Sequence, residues 1–311
     1  MVVCTYTPDR LANLVRAVGS LDAQTLRPHE VIVVVDHNEE LLRQVAAALP
    51  AAQLVASSGP RGLSGARNTG VRVATGDVVA FLDDDAHADR DWLSELTRHY
   101  ADDSVIGVGG LVLPAWSIRP PTWFPPEFGW VVGCSYAGQP RHTSPVRNPI
   151  GANMSFRRAP LIAVGGFHNG MGRVGANQLG CEETEVAIRL AQRCPGSRIL
   201  HEPAAVVHHH VPAERSRWRY FRRRCWAEGR SKAAVSRLLG RDRALASERS
   251  YVRQALPRGL ARDARRLLRG ELPGLLRCAA TIAGLSMTTA GYLVGRSSLA
   301  LRTSLPEGVP S

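Results

Sequence analysis

The chain has 311 residues, which is enough for one large domain or two of ordinary size. Hydrophobic residues make up 44% of it, which excludes wholesale disorder, and six cysteines without a CxxC pair argue against a zinc ribbon or a disulfide framework. The formal net charge of +12 predicts an anionic partner: a nucleic acid, an anionic membrane or a phosphorylated ligand.

Strand and helix patterns alternate along the first hundred residues. The predicted strands are VVCTY, VIVVVD, AQLVAS and DVVAFL, and the helical segments between them are DRLANLVRAVGSL, EELLRQVAAAL and GLSGARNTGVRVA. This succession predicts a doubly wound α/β sheet with right-handed crossovers. Because the first strand begins directly after Met1, we expect the natural chain to start a few residues upstream.

Three adjacent aspartates, residues 83–85, end the fourth predicted strand. In a doubly wound sheet, ligands bind beyond the carboxyl ends of the strands. Hard divalent cations need oxygen ligands, and strand alternation places Asp83 and Asp85 on one side of the chain and Asp84 on the other. The alternative is a solvated, Asp-rich turn. We predict a Mg²⁺ or Mn²⁺ site at Asp83 and Asp85, with Asp84 free to meet a ribose or a backbone group.

Several motifs in a fixed order resemble those of family 2 (GT-A fold) inverting glycosyltransferases. They run from Val2 to about Arg217 and are VVCTYTPDRLANLVRAVGSLDAQT, VIVVVDHN, GLSGARNTGVRVATGDVVAFLDDDA, GANMSFRR, GGF and CEETEVAIRL. The resemblance implies a GT-A fold, which is a Rossmann-like, mostly parallel sheet with helices on both faces. It also implies a nucleotide-sugar donor, with UDP as the expected nucleotide, whose diphosphate is bracketed by Asp83 and Asp85. The last of these, Asp85, is the implied metal ligand.

The same resemblance implies the other donor-side roles, residue by residue. Thr5 and Tyr6 match the nucleotide-contacting segment after the first strand, and Asp36 matches the acid that binds the base or ribose after the second. Arg67 and Asn68 match a pair near the nucleotide. A hydroxyl, a ring, a carboxylate and a guanidinium suit a nucleobase, a ribose and phosphates. Without the resemblance, SGARNTG is more simply a glycine-opened helix used for packing.

The motif CEETE places Glu182, Glu183 and Glu185 at a predicted helix start. Acids at that point interact favourably with the helix macrodipole and need no further role. The resemblance implies instead a general base, because an inverting transfer needs a carboxylate that takes the proton of the acceptor hydroxyl. The family usually has Glu-Asp here, so Glu183 occupies the position of the base with a side chain one methylene longer. Glu182 is the second candidate.

Three histidines, residues 208–210, end a later strand-like segment. In GT-A enzymes a histidine near this point can complete the metal site, although a surface or core role is the simpler interpretation. Strand alternation groups His208 with His210 and against His209. We predict His208 as the third metal ligand.

The composition changes near Pro212, after which basic residues cluster. Arginines interleaved with Trp218 and Trp226 predict an amphipathic helix on an anionic membrane, or a solvated helix face, and the first arginines can also meet the leaving diphosphate. Residues 278–295 carry no charge and approach the length of a spanning helix, but they are only mildly apolar. We predict a catalytic domain over 1–212, a basic membrane-associating helical region over 213–302 and a disordered tail over 303–311.

The predicted function is transfer of a sugar to an acceptor hydroxyl. WFPPEFGWVVGCSY and RNPIGANMSFRR resemble, more loosely, enzymes that extend polyprenyl-phosphate sugars, which implies a lipid-linked acceptor at the cytoplasmic face of the cell membrane. Trp123, Trp130 and Asn153 are the predicted acceptor-binding residues. One alternative is a sugar-1-phosphate nucleotidyltransferase, although a glycine-rich loop with a lysine is missing near the N-terminus. The other is a basic nucleic-acid-binding protein, which would leave the acidic clusters without a purpose, so we expect no nucleic-acid partner.

Overall fold

The computed structural model of the protein describes residues 1–172 and 180–303, except for the side chains at 243 and 298–303. Within these ranges nine strands form one sheet: β1 Val2–Thr5, β2 Ile32–Val35, β3 Gln53–Ala56, β4 Val78–Asp83, β5 Ala86–Ala88, β6 Val105–Trp116, β7 Ser144–Val146, β8 Asn153–Arg157 and β9 Arg198–Val211.

Eleven α-helices accompany the sheet in the same part of the chain: α1 Leu11–Asp22, α2 Glu39–Ala48, α3 Leu63–Val73, α4 Trp92–Thr97, α5 Arg158–Ala163, α6 Glu182–Arg193, α7 Trp218–Leu239, α8 Arg241–Ala244, α9 Ala246–Ser250, α10 Leu256–Leu268 and α11 Leu272–Thr303. Short 3-10 helices add Pro8–Arg10, Arg98–Ala101, Pro126–Val132 and Ala213–Ser216, and a π-helical turn covers Tyr251–Ala255.

The strand order is β3-β2-β1-β4-β8-β6-β9-β5, with β7 paired to β9 outside this path. The first four strands are parallel, which confirms the predicted succession of strands and helices over this part of the chain. Beyond them the sheet is mixed, because β8 runs antiparallel to β4 and β6, while β5 and β7 run antiparallel to β9. The carboxyl ends of β1, β2 and β4 therefore lie at one edge, where a ligand site is expected.

Local sequence explains how the helices beside this edge begin. Asn38 caps α2, since its side chain accepts a hydrogen bond from the backbone N–H of Leu41 at 3.0 Å. Gly62 precedes α3 with φ of 123°, in the left-handed region that favours glycine. One turn later, a Cβ on Gly65 would lie 1.9 Å from the carbonyl oxygen of Pro60. The glycines of this segment therefore allow the chain to turn tightly into α3.

Two apolar layers cover the sheet, one on each face. Alternate residues of β1 point to opposite layers, so that Val3 joins α1, α2 and α4 on one face and Val2 joins α3, α5 and α6 on the other. Parallel strands with both faces covered read as continuous apolar runs, as β2 does. Helices therefore lie on both faces of the sheet, as predicted.

The C-terminal helices pack against one another and against the 3-10 helix Pro126–Val132. A Cβ on Gly229 of α7 would lie 2.0 Å from the carbonyl oxygen of Thr288 in α11, so these two helices are in close backbone contact. Phe221 and Cys225 of α7 are fully buried beside Phe128. The apolar side of α7 was expected to lie on a membrane surface, but it packs inside the protein.

Among the described residues one helical stretch, Leu272–Ser297 within α11, has the length and mean hydropathy of a membrane span, and 28% of its apolar window is buried. Length and composition are weak evidence for a span, and the close contact of α11 with α7 gives this helix a partner within the protein. The predicted disordered tail, 303–311, lies outside the described residues apart from Thr303, which ends α11.

Candidate active site

The carboxyl ends of β1, β2 and β4 open into a cavity of about 760 Å³. The start of α6 and one side each of α7 and α11 also line it, together with residues from the segments 128–152 and 245–258. Most of the residues predicted at the donor side line this cavity, although they are far apart in the sequence: Thr5, Tyr6, Asp36, Arg67, Asp83, Asp84 and Asp85.

Asp83, Asp85 and His209 form a group that could hold a metal ion where β4 ends. One ligand atom from each lies within 4.8 Å of the others. The carboxylate of Asp85 is 3.2 Å from Nε2 of His209, 3.3 Å from Arg10 and 3.6 Å from Arg215. Burial opposes ionisation of Asp85, but the charge and hydrogen bond of His209, together with the two arginines, hold its pKa well below the usual range.

The prediction that His208 is the third metal ligand is wrong, because His209 is the histidine beside the two aspartates. His208 lies on the other face of β9, where its Nε2 is 3.0 Å from Asp89 and its ring stacks on His87. Strand alternation separates His208 from His209 correctly, but it does not say which face meets the aspartates. The backbone N–H of His210 donates to the carbonyl oxygen of Asp85 at 2.7 Å, which fixes β9 beside the aspartate turn and brings His209 to it.

The donor set fits a divalent cation. Two carboxylates supply the oxygen ligands that Mg²⁺ and Mn²⁺ bind, and an imidazole nitrogen is a ligand that first-row transition ions accept. Three basic groups surround Asp85, which keeps it ionised and able to act as a ligand. The residues therefore agree with the metal-binding role predicted for Asp83 and Asp85, with His209 in place of His208.

Asp84 has a different environment from its neighbours. It is buried, and one of its oxygens accepts a hydrogen bond from Arg10 at 2.8 Å. Burial and the adjacent charge of Asp85 raise the pKa of Asp84 to about 6, although Arg10 opposes the shift. Asp84 therefore holds Arg10 in position beside Asp85. The sequence does not predict this role of Arg10, because nothing in the local pattern distinguishes it from a surface residue.

The two candidate bases differ in their contacts. Glu182 is buried and forms an ion pair with Arg67 at 2.8 Å. The same guanidinium lies 3.4 Å from Asp83 and donates to the carbonyl oxygen of Gly151 at 3.1 Å. Arg67 thus ties the start of α6 to the end of β4, and its charge is already committed to Glu182.

Glu183 lines the cavity, and its carboxylate accepts a hydrogen bond from the hydroxyl of Thr184 at 3.3 Å. Burial, and then the nearby charge of Glu182, raise the pKa of Glu183 to about 7. Cys181 precedes the pair with φ of 71°, a left-handed conformation that is uncommon for a residue other than glycine. This turn sets the direction in which α6 begins and presents both carboxylates at its first turn.

The remaining donor-side residues that line the cavity differ in exposure and in hydrogen bonding. Tyr6 is 54% exposed at the cavity rim, with the guanidinium of Arg10 5.6 Å from its ring centre, so its ring is accessible. Asp36 accepts a hydrogen bond from the backbone N–H of Gly62 at 2.9 Å and still lines the cavity. Thr5 is buried, and its hydroxyl has no hydrogen-bond partner among the described residues.

The prediction that Asn68 contacts the nucleotide needs a correction. Its side chain donates to the carbonyl oxygen of Phe167 and accepts from the backbone N–H of the same residue, each at 2.7 Å. The amide is therefore used to fix a neighbouring loop and does not line the cavity. Arg67, the other member of the predicted pair, does line it.

Of the predicted acceptor-binding residues, Trp130 lines the cavity and donates from Nε1 to the hydroxyl of Tyr251 at 3.3 Å. Trp123 does not line it, because its ring packs edge-on against Trp218 and Phe221, with centroids 5.1 and 5.5 Å away. Packing beneath a loop is the more common use of such a residue, and it is the one found here for Trp123.

The prediction that Asn153 binds the acceptor also needs a correction, since this residue is completely buried in β8. Its Oδ1 accepts from Nε1 of Trp92 at 2.8 Å, and its Nδ2 donates to the carbonyl oxygens of Leu111 and Ala205 at 3.0 and 2.9 Å. A buried amide with three such bonds is a structural group. The residue therefore holds β8, β6 and β9 together rather than meeting an acceptor.

Comparison with known proteins adds a direct test of the resemblance. Residues 1–165 match the family model described as glycosyl transferase family 2. The chain belongs to this family. It is 36% identical over 242 residues to the glucosyl-dolichyl phosphate glucuronosyltransferase of Haloferax volcanii, an alignment that covers 76% of this chain and 77% of that protein. It is also 26% identical over 241 residues to the succinoglycan biosynthesis protein ExoM of Rhizobium meliloti, covering 74% and 72% of the two chains.

Solved structures confirm the GT-A fold of this family 2 glycosyltransferase. The mannosyltransferase PcManGT from Pyrobaculum calidifontis, solved with GDP-Man and Mn²⁺, matches with a TM-score of 0.57 and 22% identity over 98% of this chain and 87% of its own. GalNAc-T7, solved with UDP, GalNAc and Mn²⁺, matches with a TM-score of 0.50 and 18% identity over 67% of this chain and 43% of its own. Family membership identifies the protein as an enzyme and sets aside the nucleotidyltransferase and nucleic-acid-binding alternatives.

Proposed function

We propose that the protein is an inverting glycosyltransferase that moves a sugar from a UDP-linked donor to a hydroxyl of a polyprenyl-phosphate-linked glycan. The observation that carries this proposal is that one cavity contains both the group formed by Asp83, Asp85 and His209 and the carboxylate of Glu183. The Haloferax relative is named for glucuronosyl transfer to glucosyl-dolichyl phosphate, which supports an acceptor of the same kind.

On the donor side, Asp83, Asp85 and His209 would hold the cation, and the mixed oxygen and nitrogen set favours Mn²⁺ over Mg²⁺. When bound, such a cation neutralises negative charge on the nucleotide diphosphate as it leaves. Arg10 and Arg215 would add fixed positive charge at the same point. Nη1 of Arg215 is buried without a hydrogen-bond partner among the described residues, so it is available for a phosphate oxygen.

On the acceptor side, Glu183 would take the proton of the attacking hydroxyl. A general base works best when its pKa lies near the working pH, and burial raises the pKa of Glu183 to about 7. Glu182 would serve as a positioning residue, because its ion pair with Arg67 holds the first turn of α6 in place. A single displacement, with the base and the leaving group on opposite sides of the anomeric carbon, gives inversion.

The test is transfer by the full chain from UDP-glucuronate to glucosyl farnesyl phosphate, a short-chain form of glucosyl-dolichyl phosphate. We expect a product of inverted anomeric configuration by NMR, and a rate about 10²- to 10⁴-fold lower for Glu183→Gln. The control is Glu40→Gln, which removes a carboxylate that is 59% exposed in α2. A retained configuration, or full activity of Glu183→Gln, would contradict the mechanism. If UDP-glucuronate fails, other UDP-sugars extend the test, and failure of every UDP-sugar contradicts the proposed donor.

We place membrane contact at the turn between α10 and α11. Leu268 and Leu272 are 87% and 70% exposed at this turn. Other exposed leucines and several arginines surround them: Leu267, Leu275, Leu276, Arg265, Arg266 and Arg269. Exposed apolar side chains beside basic ones are typical of helices that lie at an anionic bilayer surface. The protein would thus sit on the cytoplasmic face of the membrane, with its cavity near lipid-linked acceptors.

Co-sedimentation with vesicles tests this placement. We expect the full chain to bind vesicles that contain anionic phosphatidylglycerol, and the double change Leu268→Glu and Leu272→Glu to weaken binding by at least about tenfold. Leu238→Glu is the matched control, since this leucine is 49% exposed on α7 and lies outside the turn. Equal binding by the double variant and the wild type would place the membrane contact elsewhere.

A further inference from the structure

A second charged group lines the cavity on the side of α7. Arg224, Glu228 and Lys232 are four residues apart, so they share one face of this helix, and all three line the cavity. Arg224 lies 3.0 Å from Glu228, and Lys232 lies 2.8 Å from Glu248. Arg147 also contacts Glu248, at 2.6 Å. The group therefore has three cations and two carboxylates, which leaves one positive charge in excess.

Lys232 also lies 3.5 Å from Glu228, so the whole group shares the excess charge, but the unused hydrogen-bond donors lie on Arg224. Glu248 satisfies both Lys232 and Arg147, and their charges and hydrogen bonds lower its pKa to about 2 despite burial. Arg224 uses one nitrogen for Glu228, but its Nε and Nη1 are buried and have no hydrogen-bond partner among the described residues. A buried guanidinium with two unused donors is costly, and each of the two can donate a charged hydrogen bond to an oxygen of an anion.

The surroundings of Arg224 indicate what kind of anion fits. Its Nη2 lies 3.4 Å from the position that a Cβ on Gly180 would occupy, three residues before the proposed base Glu183. The cavity wall formed by α11 and the π-helical turn contributes the apolar side chains of Leu285, Tyr292, Val252 and Ala255. The polar side chains of Thr288, Thr289 and Gln254 lie among them. A ligand that reaches from Glu183 past Arg224 would therefore present a hydroxyl, then an anionic group, then an apolar chain.

We propose that Arg224 binds the phosphate of a phosphate-linked lipid acceptor, and that the apolar wall between α11 and residues 251–255 receives the first part of its lipid chain. This inference rests on the lipid-linked acceptor of the proposed function and adds a residue that selects it. Arg224 would then be a specificity residue, which discriminates a sugar linked to lipid through phosphate from the same sugar linked directly.

Binding of glucosyl farnesyl phosphate to the full chain tests the inference, with saturating UDP and Mn²⁺ so that the donor site is occupied. Farnesyl glucoside is the phosphate-free counterpart. We expect Arg224→Gln to weaken the phosphate probe about 10- to 100-fold, by the loss of charged hydrogen bonds, and to leave the glucoside unchanged. Arg223→Gln removes the same charge from an exposed neighbour on α7 and should change neither. Arg224→Lys keeps the charge and should lose less than Arg224→Gln.

Three results would overturn the inference. The first is equal affinity of the wild type and Arg224→Gln for the phosphate probe. The second is equal weakening of binding in Arg224→Gln and Arg223→Gln. The third is displacement of the probe by inorganic phosphate at a comparable concentration, which would show a site for free phosphate. Binding of UDP, measured separately, reports on the fold of each variant and on the donor site. If the wild type does not bind UDP, the proposed function is contradicted. Binding of the phosphate probe that depends on Arg224 would still support this inference in that case.

Discussion

Replacing Glu183 with glutamine should remove most of the activity and yet stabilise the fold at alkaline pH. Burial and the charge of Glu182 raise the pKa of Glu183 from 4.5 to about 7. The folded protein therefore keeps this proton where the unfolded chain loses it, so stability falls as the pH rises from about 4.5 to about 7. At about 1.36 kcal/mol per pKa unit, ionised Glu183 costs about 3 kcal/mol at pH 8 and less than about 1 kcal/mol at pH 5.

The assay is the free energy of unfolding by chemical denaturation for the wild type and Glu183→Gln at both pH values. We expect the variant to be more stable by about 3 kcal/mol at pH 8, with the gap shrinking below about 1 kcal/mol at pH 5. The exposed-carboxylate control, Glu40→Gln, should show no such dependence on pH. In the wild type, kcat/KM should rise with pH through about 7 as the base ionises. A variant no more stable than the wild type at pH 8 would refute the reasoning.

Two further predictions concern packing around the cavity. Arg67→Met should destabilise the protein by about 3–5 kcal/mol in denaturant unfolding, because it leaves Glu182 buried without its ion-pair partner; a loss below about 1 kcal/mol would contradict this role. Gly229→Ala should cost about 1–3 kcal/mol, because the new Cβ would lie 2.0 Å from the carbonyl oxygen of Thr288 and force α7 away from α11. Gly19→Ala in α1 is the matched control, since its Cβ would meet nothing within 4 Å, and a similar loss there would contradict the packing argument.

The sequence predicts the parts of the site that depend on strand order. Continuous apolar runs indicate buried parallel strands, and the carboxyl ends of such strands meet at one edge. Asp36 and the aspartates of 83–85 were therefore expected to converge, and they line one cavity. The resemblance places Glu183 there as well, although a carboxylate at a helix start has no distinctive pattern of its own.

Other parts of the site depend on contacts that local patterns do not contain. Periodicity separates His208 from His209, but only the pairing of β9 with β5 decides which of them meets Asp85. The sequence predicts Asn153 as a polar residue at a ligand site, but its buried amide forms hydrogen bonds with three partners inside the protein. Arg224 belongs to a basic run whose members look alike in sequence, and only the fold of α7 against the cavity distinguishes it.

The most direct test of the central claim is calorimetric binding of UDP to the full chain, with Mn²⁺ and with a chelator. Asp85→Asn and His209→Gln are compared with His208→Gln, which changes a histidine on the other face of the same strand. We predict Mn²⁺-dependent binding that is lost in the first two variants and retained in His208→Gln. Binding that does not depend on metal, or that survives Asp85→Asn unchanged, would contradict the donor site described for this enzyme.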